Sequence, residues 1–508
     1  MVKTRNTLPV AKFELQRVES APVATRAIAA RPPQRDKRIH ARRIIPKVAR
    51  GEQRADPAPT LACQWHPAAA PARRAARGAR PGGPKAAVKA ATGNLVLAQV
   101  TELGSAADNN AASNVCEPSA AANGDVVFYT GNWFAAVSTD AGASFQFVDP
   151  VASFPDPPGL AFCCDQVVHY VRKIDTFVWL LQYINRNDDT GANIQRLAFA
   201  TTAQVRTGQW RLFDIRPQDL GLGQDFLDFP DLAWSNSMLY MTTNSFSPPN
   251  AQGQQLWHAS VLVRIPLASI RNNTFTAQFT TSTQNFSFRV AQHCTTRAFF
   301  ASHQDTSTLR VFSWGETQAA PTFTDVHVAS WDDTDYRSMT PGGGRWLDRA
   351  DPRHTGATKA RSGLWFAWGA GRGGANNRPH PYVQIARINP TTMQLAENIN
   401  LWHPDCAICY AALSTNANSE VGASYAVGGG TAFPSHAVGI LTGTQRSVIA
   451  AQGARAPGDR QWGDYLTVRR GYPNTRAFAA TGFVLKAAQG GVNDATPVFV
   501  RFGRTGQV

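Results

Sequence analysis

The chain has 508 residues, more than one compact core usually holds, so two domains or one large closed architecture are expected. With 10% aromatic residues, only 17% charged residues and 40 glycines it reads as a turn-rich β protein, and it lacks the run of about 18 apolar residues that a membrane-spanning helix needs. The formal charge of +15 belongs to residues 1–92, which hold 20 Lys+Arg against 5 Asp+Glu, whereas residues 93–508 hold 30 of each; net charge gives no support for nucleic-acid binding by the body of the chain.

Residues 1–92 are rich in Ala, Arg and Pro, as in Arg31-Pro32-Pro33-Gln34-Arg35, and show no hydrophobic periodicity. They bury too little apolar area to offset chain entropy, so they read as a disordered basic tail. A basic arm that binds nucleic acid or an anionic surface is the functional alternative. The N-terminus shows no uninterrupted apolar stretch of the kind a secretory signal carries. Seven cysteines (Cys63, Cys116, Cys163, Cys164, Cys294, Cys406 and Cys409) are too few for a disulfide-built scaffold, so buried small hydrophobes or one or two disulfides are expected.

From residue 93 onward, apolar runs of about five residues alternate with Gly, Asn, Asp and Pro, as strands do. Examples are Val126-Val127-Phe128-Tyr129, Phe177-Val178-Trp179-Leu180-Leu181 and Leu364-Trp365-Phe366-Ala367-Trp368. Between two such runs lies Ser138-Thr139-Asp140-Ala141-Gly142-Ala143-Ser144-Phe145. Asp140 is placed to accept from backbone N–H groups further on, Gly142 to supply a positive φ, Ser144 to donate back, and Phe145 to pack beneath the turn. The runs recur as a unit with starts at Glu117, Asp165, Asp231, Cys294, Lys359, Cys409 and Asp464, 48 to 66 residues apart. Such a period suits four-stranded blades in a ring, since each unit needs neighbours to cover its faces. Residues 93–508 are therefore expected to form one all-β β-propeller domain of seven blades, with six as the alternative.

The turn at 138–145 resembles an Asp-box, the hairpin between the third and fourth strands of a blade in sialidase-like β-propellers. Glu117-Pro118-Ser119-Ala120 is similar to their opening inner strand, and Trp462-Gly463-Asp464-Tyr465 to their closing blade. The stretch Ala200–Trp210 reads as a degraded second copy without its Asp. The resemblance implies a secreted glycan- or protein-binding propeller, with an exo-sialidase-like glycoside hydrolase as the alternative. Sialidases hold a carboxylate with three arginines. Here Arg264-Ile265-Pro266 stands in mid-chain as a chance tripeptide, and Arg297, Arg345 and Arg469 are anion-binding candidates without a spacing that identifies a triad.

Aligning the units places Glu117, Asp165, Asp231, His293 and Asp464 at the starts of innermost strands, so they are expected to meet at one mouth of the channel. Clustered carboxylates repel, which raises some pKa values or favours a hard divalent cation such as Ca2+. His403, Cys406 and Cys409 are candidates for a thiolate/imidazole metal site, with structural burial as the plainer reading. The Gly/Arg-rich residues 341–363 are the best candidate for a functional loop, and Trp133, Trp179, Trp257, Trp331, Trp346 and Trp402 are available as sugar platforms. A monomer is expected.

Overall fold

The apolar runs form antiparallel strands whose side chains are buried on both faces, because each sheet is covered by a sheet on either side. The computed structural model describes residues 7–19, 21–23, 42–51, 60–62, 93–104, 112–113, 115–185, 191–486 and 495–508. These form seven sheets, each with a four-stranded antiparallel blade. Blades 1 to 6 follow the chain, with innermost strands Ser119–Asn123, Leu160–Val171, Phe226–Trp234, Arg289–Val290, His354–Ala360 and Ala407–Thr415. Blade 7 runs Val468–Arg470, Phe478–Leu485 and Ala495–Arg504, and its outermost strand is Leu95–Glu102 from the start of the domain. The ring thus closes by pairing the two ends of the propeller, which leaves no open seam. The innermost strands neighbour one another in sequence order around the channel, blade 7 meeting blade 1.

Seven apolar layers lie between adjacent blades. Phe128, Trp179 and Trp210 fill the layer between blades 1 and 2, and Trp368 with Phe299 and Phe366 that between blades 4 and 5. In blade 4 the unit start at Cys294 was set too late: the innermost strand is Arg289–Val290, and the strand after Cys294 is the second, Arg297–Asp305.

The turn at 138–145 joins the third and fourth strands of blade 1. Gly142 N donates to Ser138 Oγ at 2.8 Å, Ser144 N to Asp140 Oδ1 at 2.9 Å, and Ser144 Oγ to Asp140 Oδ2 at 2.6 Å. The Ser144 hydroxyl and N–H, with the Ser138 hydroxyl, hold the Asp140 carboxyl down at about 2. Gly142 has φ 89°, and a Cβ there would sit 2.4 Å from the Phe499 ring, so both backbone and space demand glycine. Phe145 packs edge-on against Tyr129 and Phe499. The stretch after Ala200 is no second such turn. Residues Thr202–Thr207 form a short helix capped by Thr201 and Gln204, because that pair satisfies the first-turn donors.

The expectation of a structureless tail fails for its described pieces. Ala11–Glu14 adds antiparallel to the outermost strand of blade 3 and Gln16–Val18 to that of blade 2. Arg42–Ile44 lies parallel to the start of the Gln254–Pro266 strand of blade 3, and Thr60–Ala62 parallel to the outermost strand of blade 5. Leu15 and Val23 are buried against blades 2 and 3 and blades 1 and 2, respectively. Outer strands offer unpaired N–H and C=O groups, and the arm satisfies them without needing a hydrophobic face of its own, which is why periodicity missed it. The remainder of 1–92, Cys63 included, lies outside the described residues. No helix among the described residues is long and apolar enough to cross a membrane.

Candidate functional site

At the same point of five blades, two residues before inner-strand pairing begins or resumes, a residue other than glycine takes a left-handed backbone: Glu117 (φ 47°), Cys164 (φ 61°), Phe229 (φ 55°), Ser287 (φ 58°) and Tyr410 (φ 58°). In blades 2, 3 and 6 it sits in a bulge where pairing breaks, between Phe162 and Gln166, Asp228 and Asp231, and Cys409 and Ala412. Side chains other than glycine adopt this conformation at a cost, and such outliers gather at functional sites. The bulges of blades 2 and 3 re-aim Cys163, Cys164, Asp165, Asp228 and Phe229 toward the channel mouth.

There they line a cavity of about 380 Å3. One wall is apolar: Trp133, Ile184, Phe226 and the disulfide that joins the adjacent residues Cys163 and Cys164. The other is polar: Glu117, Asp165, Asp228, Asp464, Arg349 and Arg353, with Arg43 reaching in from the N-terminal arm. Arg349 grips Asp464 with two parallel bonds, Nε to Oδ1 at 3.0 Å and Nη2 to Oδ2 at 2.8 Å, and Arg353 Nη2 adds a third at 3.0 Å. Arg43 Nη1 stands 3.5 Å from Asp228 Oδ2, with its guanidinium over the Phe226 ring.

The carboxyls are driven apart. Burial raises Glu117 to about 7, aided by the charge of Asp464 and opposed by Arg349; its Oε1 accepts from Asp464 N at 3.1 Å. Burial pushes Asp464 up as well, but Arg349 and Arg353 outweigh it and hold the group at about 2. Asp165, half-buried on the pocket wall, is raised by burial and by Glu117, Asp228 and Asp464.

Of the five residues expected at one mouth, Glu117, Asp165 and Asp464 come together. Asp231 does not. It is the first residue to resume pairing after its bulge, opposite Thr242, as Gln166 is opposite Leu181, so it stands deeper, bonded to Arg289 at 2.5 Å. Asp228, three residues earlier, takes the mouth position and was missed; its only signal was the acidic pair around Phe229-Pro230. His293 bonds Ser414 of blade 6 at 2.8 Å and does not line the cavity. Nor do the three arginine candidates: Arg297 donates to Ser313 and Gln318, Arg345 pairs with Asp348, and Arg469 lies deep in the channel. Residues 341–363 do furnish the mouth, through Arg349 and Arg353. Arg264 binds Gln278 and the Gly315 and Gln318 carbonyls under Trp314, a structural role between blades 3 and 4. Among the sugar-platform tryptophans, Trp133 lines the cavity, whereas Trp179 and Trp346 are wholly buried.

No group of three or more His, Cys, Asp or Glu among the described residues is arranged to hold a metal ion. At the mouth the reason is visible, since arginines stand between the carboxylates. Cys406 and Cys409 are buried free thiols, and His403 Nδ1 accepts from Asp405 N.

The described fold and site define a seven-bladed β-propeller with an arginine- and carboxylate-lined mouth. No protein-family profile matches the chain, and no curated protein matches it in sequence. Among solved structures it is similar to an α-L-arabinanase from Penicillium chrysogenum complexed with arabinobiose, at 9% identity over 76% of this chain and 92% of that one, with a TM-score of 0.33. It is likewise similar to the α-L-arabinofuranosidase of Fusarium graminearum with arabinobiose, at 10% identity over 76% and 93%, TM-score 0.38. A third is the NanB sialidase of Streptococcus pneumoniae, at 10% identity over 62% and 66%, TM-score 0.35.

Proposed function

We propose that the protein is a glycoside hydrolase whose mouth cavity receives one end of a neutral glycan. The observation that carries this reading is the separation of the mouth carboxyls: Glu117 is held protonated up to about 7 while Asp464 stays ionised. Paired titratable groups pushed apart in this way are how acid and base roles are assigned at one pH. Glu117 would give its proton to the departing glycosidic oxygen as the C–O bond breaks, the ionised Asp464 would offset positive charge developing at the anomeric carbon, the water that adds there would pass its proton to Asp228, and Arg349 and Arg353 would orient the acidic wall. The apolar wall of Trp133 and the disulfide suits the C–H face of a sugar ring, and the polar wall suits its hydroxyls.

Charge selects the neutral substrate. The cavity is lined by five carboxyls, Glu117, Asp165, Asp228, Asp459 and Asp464, and by three arginines that each already face a carboxylate. A sialic acid carboxylate would have to displace one of them. A second reading, a glycan-binding scaffold without catalysis, draws on Glu117 being only 2% exposed at the cavity floor. Aryl glycosides of neutral pentoses and hexoses, alongside a sialoside, separate these. Hydrolysis of a neutral glycoside, reduced about 10²–10⁴-fold in Glu117→Gln, supports the first reading. Glycan binding without turnover leaves the second, and preference for the sialoside overturns the charge argument.

A further inference from the structure

Two or three residues further along the same inner strands, roughly 7–10 Å deeper by strand rise, lies a second cavity of about 20 Å3, the space for one water or one monatomic ion. The Tyr465 ring, edge-on to Phe229, stands between it and the mouth. Its charged lining is Asp231, Arg289 and Arg469, contributed by blades 3, 4 and 7. Arg289 takes up Asp231 through Nη1 at 2.5 Å and donates through Nε to the His354 carbonyl at 2.9 Å. Arg469 is left over. It is 8% exposed, its Nε has no hydrogen-bond partner, and the one side-chain bond it makes among the described residues is from Nη2 to the Val168 carbonyl at a long 3.5 Å.

Two guanidinium groups therefore share one carboxylate inside the protein, a formal excess of one positive charge. The neighbouring imidazoles do not add to it, because burial keeps His169 at about 3 and His293 and His354 well below their ordinary value. Burial also pulls Arg469 down, to about 10, which still leaves it charged at neutral pH. An unpaired buried charge is costly, and a water dipole offsets less of that cost than a counter-ion does. We propose that this cavity is an anion site that holds one halide ion, of chloride size, between the guanidinium groups of Arg469 and Arg289. Thr355 also lines this space, its hydroxyl proton given to the Ala411 carbonyl, and Asp231 is the one acidic residue among the described lining residues. The site would tie the short closing strand Val468–Arg470 to blades 3 and 4 across the channel.

Crystals of the full chain grown in sodium bromide test this directly. An anomalous difference peak within hydrogen-bond reach of Arg469 Nε is expected, lost in Arg469→Met. In solution, chloride or bromide should raise the thermal midpoint by about 2–5 °C over gluconate at matched ionic strength, and Arg469→Met should abolish the difference. Density for a water alone, with equal melting in chloride and gluconate, overturns the proposal. So does a bromide peak that survives in Arg469→Met, since Arg469 would then not be what holds the ion. If the variant fails to fold, the wild-type bromide map and melting series still decide.

Discussion

Glu117 and Asp464 are neighbours with opposite fates, and the difference is who else reaches them. Both are pushed up by burial, but the two arginines bond Asp464, whereas Glu117 feels Arg349 only at 3.8 Å. Because Glu117 titrates at about 7 in the fold against an ordinary 4.5, its neutral form stabilises the protein fully below 4.5, and that contribution is lost as pH rises through 7. Glu117→Gln should flatten this decline in urea midpoints measured between pH 5 and 8; an unchanged slope would place the shift elsewhere. Asp464→Asn leaves Arg353 buried with Asp351 alone and should cost about 3 kcal/mol in denaturant unfolding. It should also lower the Glu117 pKa, read by NMR of labelled glutamate, because a like charge has gone and Arg349 is released. The Cys163–Cys164 bond behaves differently. It closes no loop of chain, so it removes little entropy from the unfolded state, and Cys163→Ser with Cys164→Ser should leave the melting temperature nearly unchanged while weakening glycan affinity.

Among the elements, the N-terminal arm is the one whose role depends on where it lies. Its strands cap the outer edges of blades 2, 3 and 5, and its residue Arg43 enters the mouth beside Asp228. Anchoring and site are separable. Leu15→Ala removes a buried side chain and should cost about 2 kcal/mol without altering ligand affinity. Arg43→Ala should weaken ligand binding with little change in stability, since the pair with Asp228 is long and partly solvated. Denaturant curves and titration calorimetry on the two variants check this double dissociation.

At the scale of the whole molecule, stability rests on closure. Leu95–Glu102 pairs with Ala495–Arg504 over nearly its whole length, joining residues some four hundred apart in the chain. A protein begun at residue 105, compared with one begun at residue 93 that lacks the arm alone, would lose that strand and present Ala495–Arg504 as an open edge. It should unfold with reduced cooperativity and self-associate, as seen by sedimentation. A monomeric two-state truncation would show that the seven interblade layers hold the ring without the clasp.

The sequence by itself determined the class and the repeat. Short apolar runs punctuated by Gly, Asn and Asp specify strands wherever they fold, and seven unit starts specify seven mutually covering blades, because local patterning and local turns carry that information. It also placed Glu117, Asp165 and Asp464 at the mouth, since each stands within four residues ahead of the point where its inner strand begins or resumes pairing, close enough to be counted back from the apolar run. The exchange of Asp231 for Asp228 was not countable. A bulge inserts residues without changing the apolar pattern, and only paired strands show where alignment breaks. Arg349, Arg353 and Arg43 escaped for a related reason. They come from a loop and an arm whose destinations are set by edges and pockets that exist only once the ring has closed.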